Sequence, residues 1–230
     1  MFPVIWTIVF DFDYTLADSS QGIIESVNYA LFRLGLPKGT PERICSTIGL
    51  SLPDVLTELA GPQDAKYSDA FVRFFVQRAD EVMIDKTAIL DDVPGILRDL
   101  KQQGFLTGIV STKYRHRIEA ILNRESLLKW VDIIVGGEDV SVHKPDPEGL
   151  LAAIKQLGSR PANCLYVGDS VVDAQTAGRA GVRFVAVLSG VTPLRHFDSY
   201  SVDRIIRKLS ELPSFITEWN TRNHQGVQSC

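Results

Sequence analysis

The sequence predicts an α/β fold in which a doubly wound parallel sheet carries an inserted helical unit. Three observations point there. Short apolar runs rich in β-branched residues recur along the chain, helical patterns lie between most of them, and one long stretch near the N-terminus has helical patterns but no comparable strand. Runs that are apolar at every position are what strands buried on both faces require, and their alternation with helices implies right-handed crossovers between parallel strands.

The first run, residues 4–10, stops at Asp11, and further runs follow at 106–110, 131–135, 164–167 and 184–188. They end at Gly, Asp, Ser or Thr, residues that lead a chain out of a sheet. Between them, residues 94–103 place Ile96, Leu97 and Leu100 on one helical face, and residues 147–157 do the same with Leu150, Leu151 and Ile154. Residues 23–34 and 70–83 predict helices within the insert, whose inner boundaries are turn-like at 35–41 and 61–64, and residues 91–95 return the chain to the sheet. The resulting division is a core of residues 1–15 and 87–230 with a helical insert of residues 16–86. The tail, 220–230, is polar without periodicity and is predicted to fray.

Bulk properties narrow the function. At 230 residues with 45% hydrophobic and 23% charged residues, the chain has enough apolar surface for a sizeable core. A net charge of −4 lacks the basic field that gathers nucleic acid, so no nucleic-acid partner is expected. Cys45, Cys164 and Cys230 are odd in number and have no C-x-x-C spacing, which fits reduced thiols in a cytoplasm better than a disulfide framework or a zinc site. The apolar run at 4–10 is much shorter than the roughly 20 residues of a membrane span and lacks the flanks of a signal peptide, so no membrane partner is expected.

In a doubly wound sheet, ligands bind beyond the carboxyl ends of the strands. There this sequence places Asp11-Phe12-Asp13-Tyr14-Thr15, then Ser111-Thr112-Lys113, Lys144-Pro145, and Gly168-Asp169-Ser170 with Asp173. Two carboxylates as close as Asp11 and Asp13 repel unless a cation lies between them or one is protonated. Each cluster alone has a plain reading: an Asp-rich turn, a helix cap at Ser111, a solvated Lys144, a capping pair in Asp169 and Asp173. Together they supply a nucleophile, hydroxyl donors, a cation and metal-binding carboxylates, the parts that phosphoryl transfer needs.

These residues resemble the four ordered motifs of haloacid dehalogenase superfamily phosphatases, and the match spans most of the chain. Phe10 to Ser19, Lys144-Pro145-Asp146-Pro147 and the helical insert directly after the first motif are also similar to the phosphoglycolate phosphatase branch. The resemblance implies a magnesium-dependent hydrolase of a small phosphomonoester, phosphoglycolate-like, working through an aspartyl phosphate. By position it makes Asp11 the nucleophile and Asp13 the general acid and base, with Thr15 supporting their turn. Ser111 would donate to the phosphoryl oxygens and Lys144 would neutralise charge. Magnesium would be held by Asp11, the backbone carbonyl of Asp13 and Asp169, with Asp173 holding the metal shell. The retained Asp13 argues against a dehalogenase.

Tyr14 stands where many relatives have Gly, and it either narrows the mouth of the site or packs under the insert. The loop 48–52 is a candidate to reach the cleft through Gly49, although Ser51 as a helix cap explains it as well. Arg43 and Arg115 are weaker candidates for meeting a substrate carboxylate. A phosphomutase or a pyrophosphatase shares every core motif. A phosphoacceptor receiver domain is the alternative of another class, but it is about half this length and has no helical insert.

Overall fold

The computed structural model describes residues 4–225. Six parallel strands form the main sheet in the order β5-β4-β1-β6-β7-β8: β1 (Thr7–Phe10), β4 (Leu106–Val110), β5 (Ile133–Val135), β6 (Cys164–Gly168), β7 (Arg183–Val187) and β8 (Arg204–Ile206). The chain runs outward from β1 to β4 and β5 on one side and then crosses to β6, β7 and β8 on the other. β1 therefore lies at the point where strand order reverses, and Thr7–Phe10 is in register with both Leu106–Ile109 and Cys164–Val167. Such a reversal opens a crevice at the carboxyl edge.

Two apolar clusters cover the two faces of the sheet. One joins Ile8, Phe10, Leu165 and Val167 to Ile96, Leu97, Ile118 and Phe215, and the other joins Val9, Tyr166 and Phe184 to Leu150, Ile154 and Ala177. The covering helices are α5 (Val93–Gln102), α6 (Arg115–Arg124), α7 (Glu148–Gln156), α8 (Val171–Ala180) and α9 (Leu212–Gln225). This is the doubly wound α/β fold expected from the sequence.

The stretch between the first two sheet strands is helical: α1 (Ser20–Arg33), α2 (Pro41–Cys45), α3 (Leu52–Ala60) and α4 (Ser68–Val82). These helices bury an apolar cluster of their own, including Val27, Leu31, Ile44, Leu56, Phe71 and Phe75. A short antiparallel ribbon, β2 (Ala17–Asp18) with β3 (Ala88–Ile89), ties the outgoing and returning chains together.

Two elements differ from the sequence reading. The tail expected to fray from residue 220 continues α9 as far as Gln225, and the Asn220 side chain accepts from Ile5 N at 2.9 Å and donates to Ile5 O at 3.0 Å. A paired backbone amide fixes that end of the helix to the start of the chain. Residues 226–230, with Cys230, lie outside the described residues. The edge strand β8 was also not expected, because Arg204 and its neighbours form no apolar run.

Candidate active site

Asp11 follows β1 directly, and its backbone N–H donates to Val167 O on β6 at 2.8 Å, so the chain stays tied to the sheet while the carboxylate projects beyond it. The next residues fold into a tight turn in which Phe12 O accepts from the amides of Thr15, Leu16 and Ala17. Tyr14 sits in that turn at φ 60, a left-handed conformation that favours Gly. Its phenol is hydrogen-bonded with Cys45 of α2 and with Ser20, and burial followed by the bond to Cys45 raises its pKa. Tyr14 thus packs under the helical insert, the second of the two readings its position allowed.

The clusters at the other strand ends converge on Asp11. Lys144 Nζ lies 2.7 Å from Asp11 Oδ1 and 2.7 Å from Asp173 Oδ1, with both carboxylates and the ammonium buried. It also donates to the Tyr166 hydroxyl at 3.2 Å, and that hydroxyl is 3.0 Å from Asp173 Oδ1. Asp11, Asp169 and Asp173 each offer one oxygen, all within 4.8 Å of one another. Thr15 Oγ1 approaches Asp169 Oδ1 at 3.5 Å, and Ser111 Oγ, buried after β4, accepts from Lys113 N at 3.3 Å. Asp13 is buried beside Lys113 Nζ at 3.3 Å, and its Oδ1 has no hydrogen-bond partner among the described residues.

The plain readings fare unevenly. Ser111 does not cap a helix, since Tyr114 precedes α6, and Lys144 is buried rather than solvated. Asp173 does serve as a cap: Ser170 N and Oγ donate to its Oδ2 at 3.1 and 2.6 Å while Asp173 N donates to Ser170 Oγ at 3.2 Å. One oxygen thus holds the start of α8 and the other faces Lys144. Ser51 likewise caps α3, accepting from Asp54 N, yet the preceding loop still reaches the cleft, because a Cβ at Gly49 would lie 3.8 Å from Ser170 Oγ. Arg43 is occupied by Glu58 O and Leu59 O, and Arg115 by Asp139, so neither is free for a substrate carboxylate.

Three participants were not identified from the sequence. Tyr166 looks like an ordinary core aromatic within β6, but its hydroxyl meets both Lys144 and Asp173. Lys113 follows Ser111 in an evident cluster but was given no role. Gly190 belongs to no motif, and a Cβ there would come within 1.9 Å of Asp169 Oδ2, so any side chain would displace that carboxylate.

The electrostatics follow from burial. Asp11 is pushed up to about 7, first by burial, with Lys144 opposing the shift and Asp173 and Asp13 adding to it. Burial raises Asp169 well above the ordinary carboxylate range, reinforced by Asp173 and Asp11. Lys144 is raised well above its usual value because Asp11 and Asp173 outweigh the burial that opposes its charge. A single ammonium therefore does not compensate this carboxylate cluster. Converging hard oxygen donors short of positive charge are suited to a magnesium ion.

The profile of the haloacid dehalogenase-like hydrolases matches residues 8–187. The chain belongs to that family. It is 28% identical over 214 residues to pyrophosphatase PpaX of Bacillus cereus strain AH820, a span covering 93% of this chain and 97% of that protein. Among solved structures, a haloacid dehalogenase-like hydrolase from Bacteroides fragilis superposes with a TM-score of 0.87 at 46% identity, covering 90% of this chain and 99% of that one. A predicted phosphoglycolate phosphatase from Haemophilus somnus 129PT superposes with a TM-score of 0.79 at 25% identity, over 92% and 97% of the two chains. The chain is thus a hydrolase of this family, and among its described residues no helix is long and apolar enough to cross a membrane.

Proposed function

We propose that this hydrolase is a magnesium-dependent phosphatase that cleaves a small phosphomonoester through an aspartyl phosphate on Asp11. The supporting observation is the convergence of Asp11, Lys144 and the Asp169 and Asp173 carboxylates at the carboxyl ends of β1, β6 and the loop after β5. Magnesium, when bound by Asp11, Asp169, Asp173 and the carbonyl of Asp13, supplies charge neutralisation at the phosphoryl oxygens.

The remaining chemistry belongs to the chain. An Asp11 carboxylate oxygen attacks phosphorus, and the bond from phosphorus to the ester oxygen breaks. Asp13, close to Asp11 and beside Lys113 rather than Lys144, enters the step protonated and gives that proton to the departing alkoxide. Asp13 then takes a proton from water, whose oxygen attacks phosphorus and releases phosphate and the free Asp11 carboxylate. Ser111 donates to the phosphoryl oxygens, and Lys144 offsets their charge. Thr15 supports the turn beneath them. Residues 16–86 act as a cap over core residues 1–15 and 87–230, excluding water and choosing the leaving group. Cys45 and Cys164, neither in a disulfide, support a cytoplasmic location.

Phosphate release from a panel of phosphomonoesters tests this reading. Turnover is expected with magnesium and is expected to stop on chelation and in Asp11→Asn. Activity that survives exhaustive chelation would overturn the metal requirement. Stoichiometric phosphorylation without phosphate release would point to the receiver-type alternative, and transfer of the phosphoryl group to a sugar to a mutase.

A further inference from the structure

A cavity of about 60 Å³ lies between the helical insert and the sheet edge, and Asp13 is part of its lining. A second cavity lies on the other side of the loop carrying Ile48 and Leu50, against Asp169 and Ser170. Asp13 lines the first and not the second. Since Asp13 is the proposed proton donor to the departing oxygen, the group attached to that oxygen belongs in the first chamber.

The character of that chamber is uneven. On the insert side it is walled by Ile23, Ile48, Leu50, Val55, Phe75 and Met83, and Thr47, the polar side chain there, already donates its hydroxyl to Ile44 O at 2.7 Å. The core side contributes Thr112, Tyr114 and two cations. Lys113 pairs with Asp13 at 3.3 Å. Arg117 reaches across to Asp80 of α4 with Nε at 2.8 Å and a terminal nitrogen at 2.7 Å, and also donates to Val76 O at 3.3 Å. A carboxylate or second phosphate entering here would lose its water against the apolar wall of the insert, which is costly, whereas an alkyl group would gain apolar contact there.

We propose that the leaving group is a small, uncharged and largely apolar alcohol, bound against Ile48, Leu50, Val55 and Phe75, rather than glycolate or phosphate. This rests on the phosphatase reading above. At about 60 Å³ the chamber is well above the ~10–15 Å³ that a single water-sized group needs, so it has room for a short chain. A three- or four-carbon alcohol fits that size.

The test is kcat/KM for methyl, ethyl, propyl and butyl phosphate beside phosphoglycolate and pyrophosphate, all with magnesium. Burial of each methylene predicts a rise of about fourfold along the alkyl series until the chamber is full. Propyl phosphate is expected to exceed both charged substrates by at least about tenfold. In Ile48→Lys, which puts an unpaired ammonium into the wall, the ratio of phosphoglycolate to propyl phosphate is expected to rise by about tenfold or more. A flat alkyl series, or a wild-type preference for phosphoglycolate or pyrophosphate, overturns the leaving-group assignment and leaves the phosphatase reading standing. Phosphate release from none of the six compounds overturns the phosphatase reading itself.

Discussion

In the metal-free protein the buried Asp11 carboxyl is expected to cost stability as pH rises. Its pKa is pushed from the ordinary 3.8 to about 7, chiefly by burial. The sign follows from linkage. Below pH about 4 the group is protonated in folded and unfolded chains alike and costs nothing. As pH rises, the unfolded chain loses the proton first, and stability falls until the folded chain also ionises near pH 7. At 1.36 kcal/mol per unit the whole fall is about 4 kcal/mol, more than half of it between pH 5 and pH 7.5. Urea unfolding followed by tryptophan fluorescence in chelator, with Asp11→Asn as reference, measures it. The wild type is expected to lose about 2 to 3 kcal/mol relative to the variant across that window. Magnesium at about 100 times its dissociation constant should restore about 2.7 kcal/mol at the alkaline end, and less at pH 5 where protons compete for the same oxygens. Parallel pH profiles for the two proteins in chelator, or a magnesium effect as large at pH 5 as at pH 7.5, would refute the reasoning.

Two further substitutions probe the neighbours of Asp11. Asp13→Asn keeps the proposed nucleophile but cannot move a proton, so turnover should fall about 100-fold or more, and with an activated aryl phosphate a rapid quench should show one added phosphoryl group by intact-protein mass spectrometry; its absence would remove Asp13 from the second step. Tyr166→Phe deletes the hydroxyl that meets Lys144 and Asp173, so unfolding should show a loss of about 1–2 kcal/mol together with a lower kcat, and unchanged values for both would make Tyr166 a bystander.

What the sequence made legible follows from what constrains each residue. Strands buried on both faces must be apolar at every position, which is why Leu106–Val110 could be read directly from the chain. β8 lies at the sheet edge, where Arg204 keeps its charge in solvent beside Glu218, so no such run is imposed. The C-terminal half of α9 is mostly polar, and its place rests on long-range contacts that no local pattern records: the bonds between Asn220 and Ile5, and Trp219 against the core and Arg183. Asp11 and Asp169 were legible because each stands just past an apolar run, whereas Lys144 lies in the loop after β5 and Asp173 in the first turn of α8. Tyr166 stands inside such a run, so nothing distinguishes its buried hydroxyl from the rest of the core until Lys144 and Asp173 are seen beside it.

Asp173 shows how one side chain can meet a local requirement and a long-range one at once. A capping box requires a Ser and an acidic residue three positions on, and Ser170 and Asp173 meet that requirement at the start of α8. The cap engages only one carboxylate oxygen, and the other lies 2.7 Å from a lysine 29 positions away. Capping orients the side chain, and that orientation presents the second oxygen to Lys144 and, through it, to Asp11. The local and the catalytic readings of Asp173 are therefore two ends of one carboxylate, and choosing between them from the sequence was a false alternative. Gly190 is the converse case. It satisfies no local motif, and what constrains it is the space that Asp169 and Tyr14 occupy, so its importance emerges from packing alone.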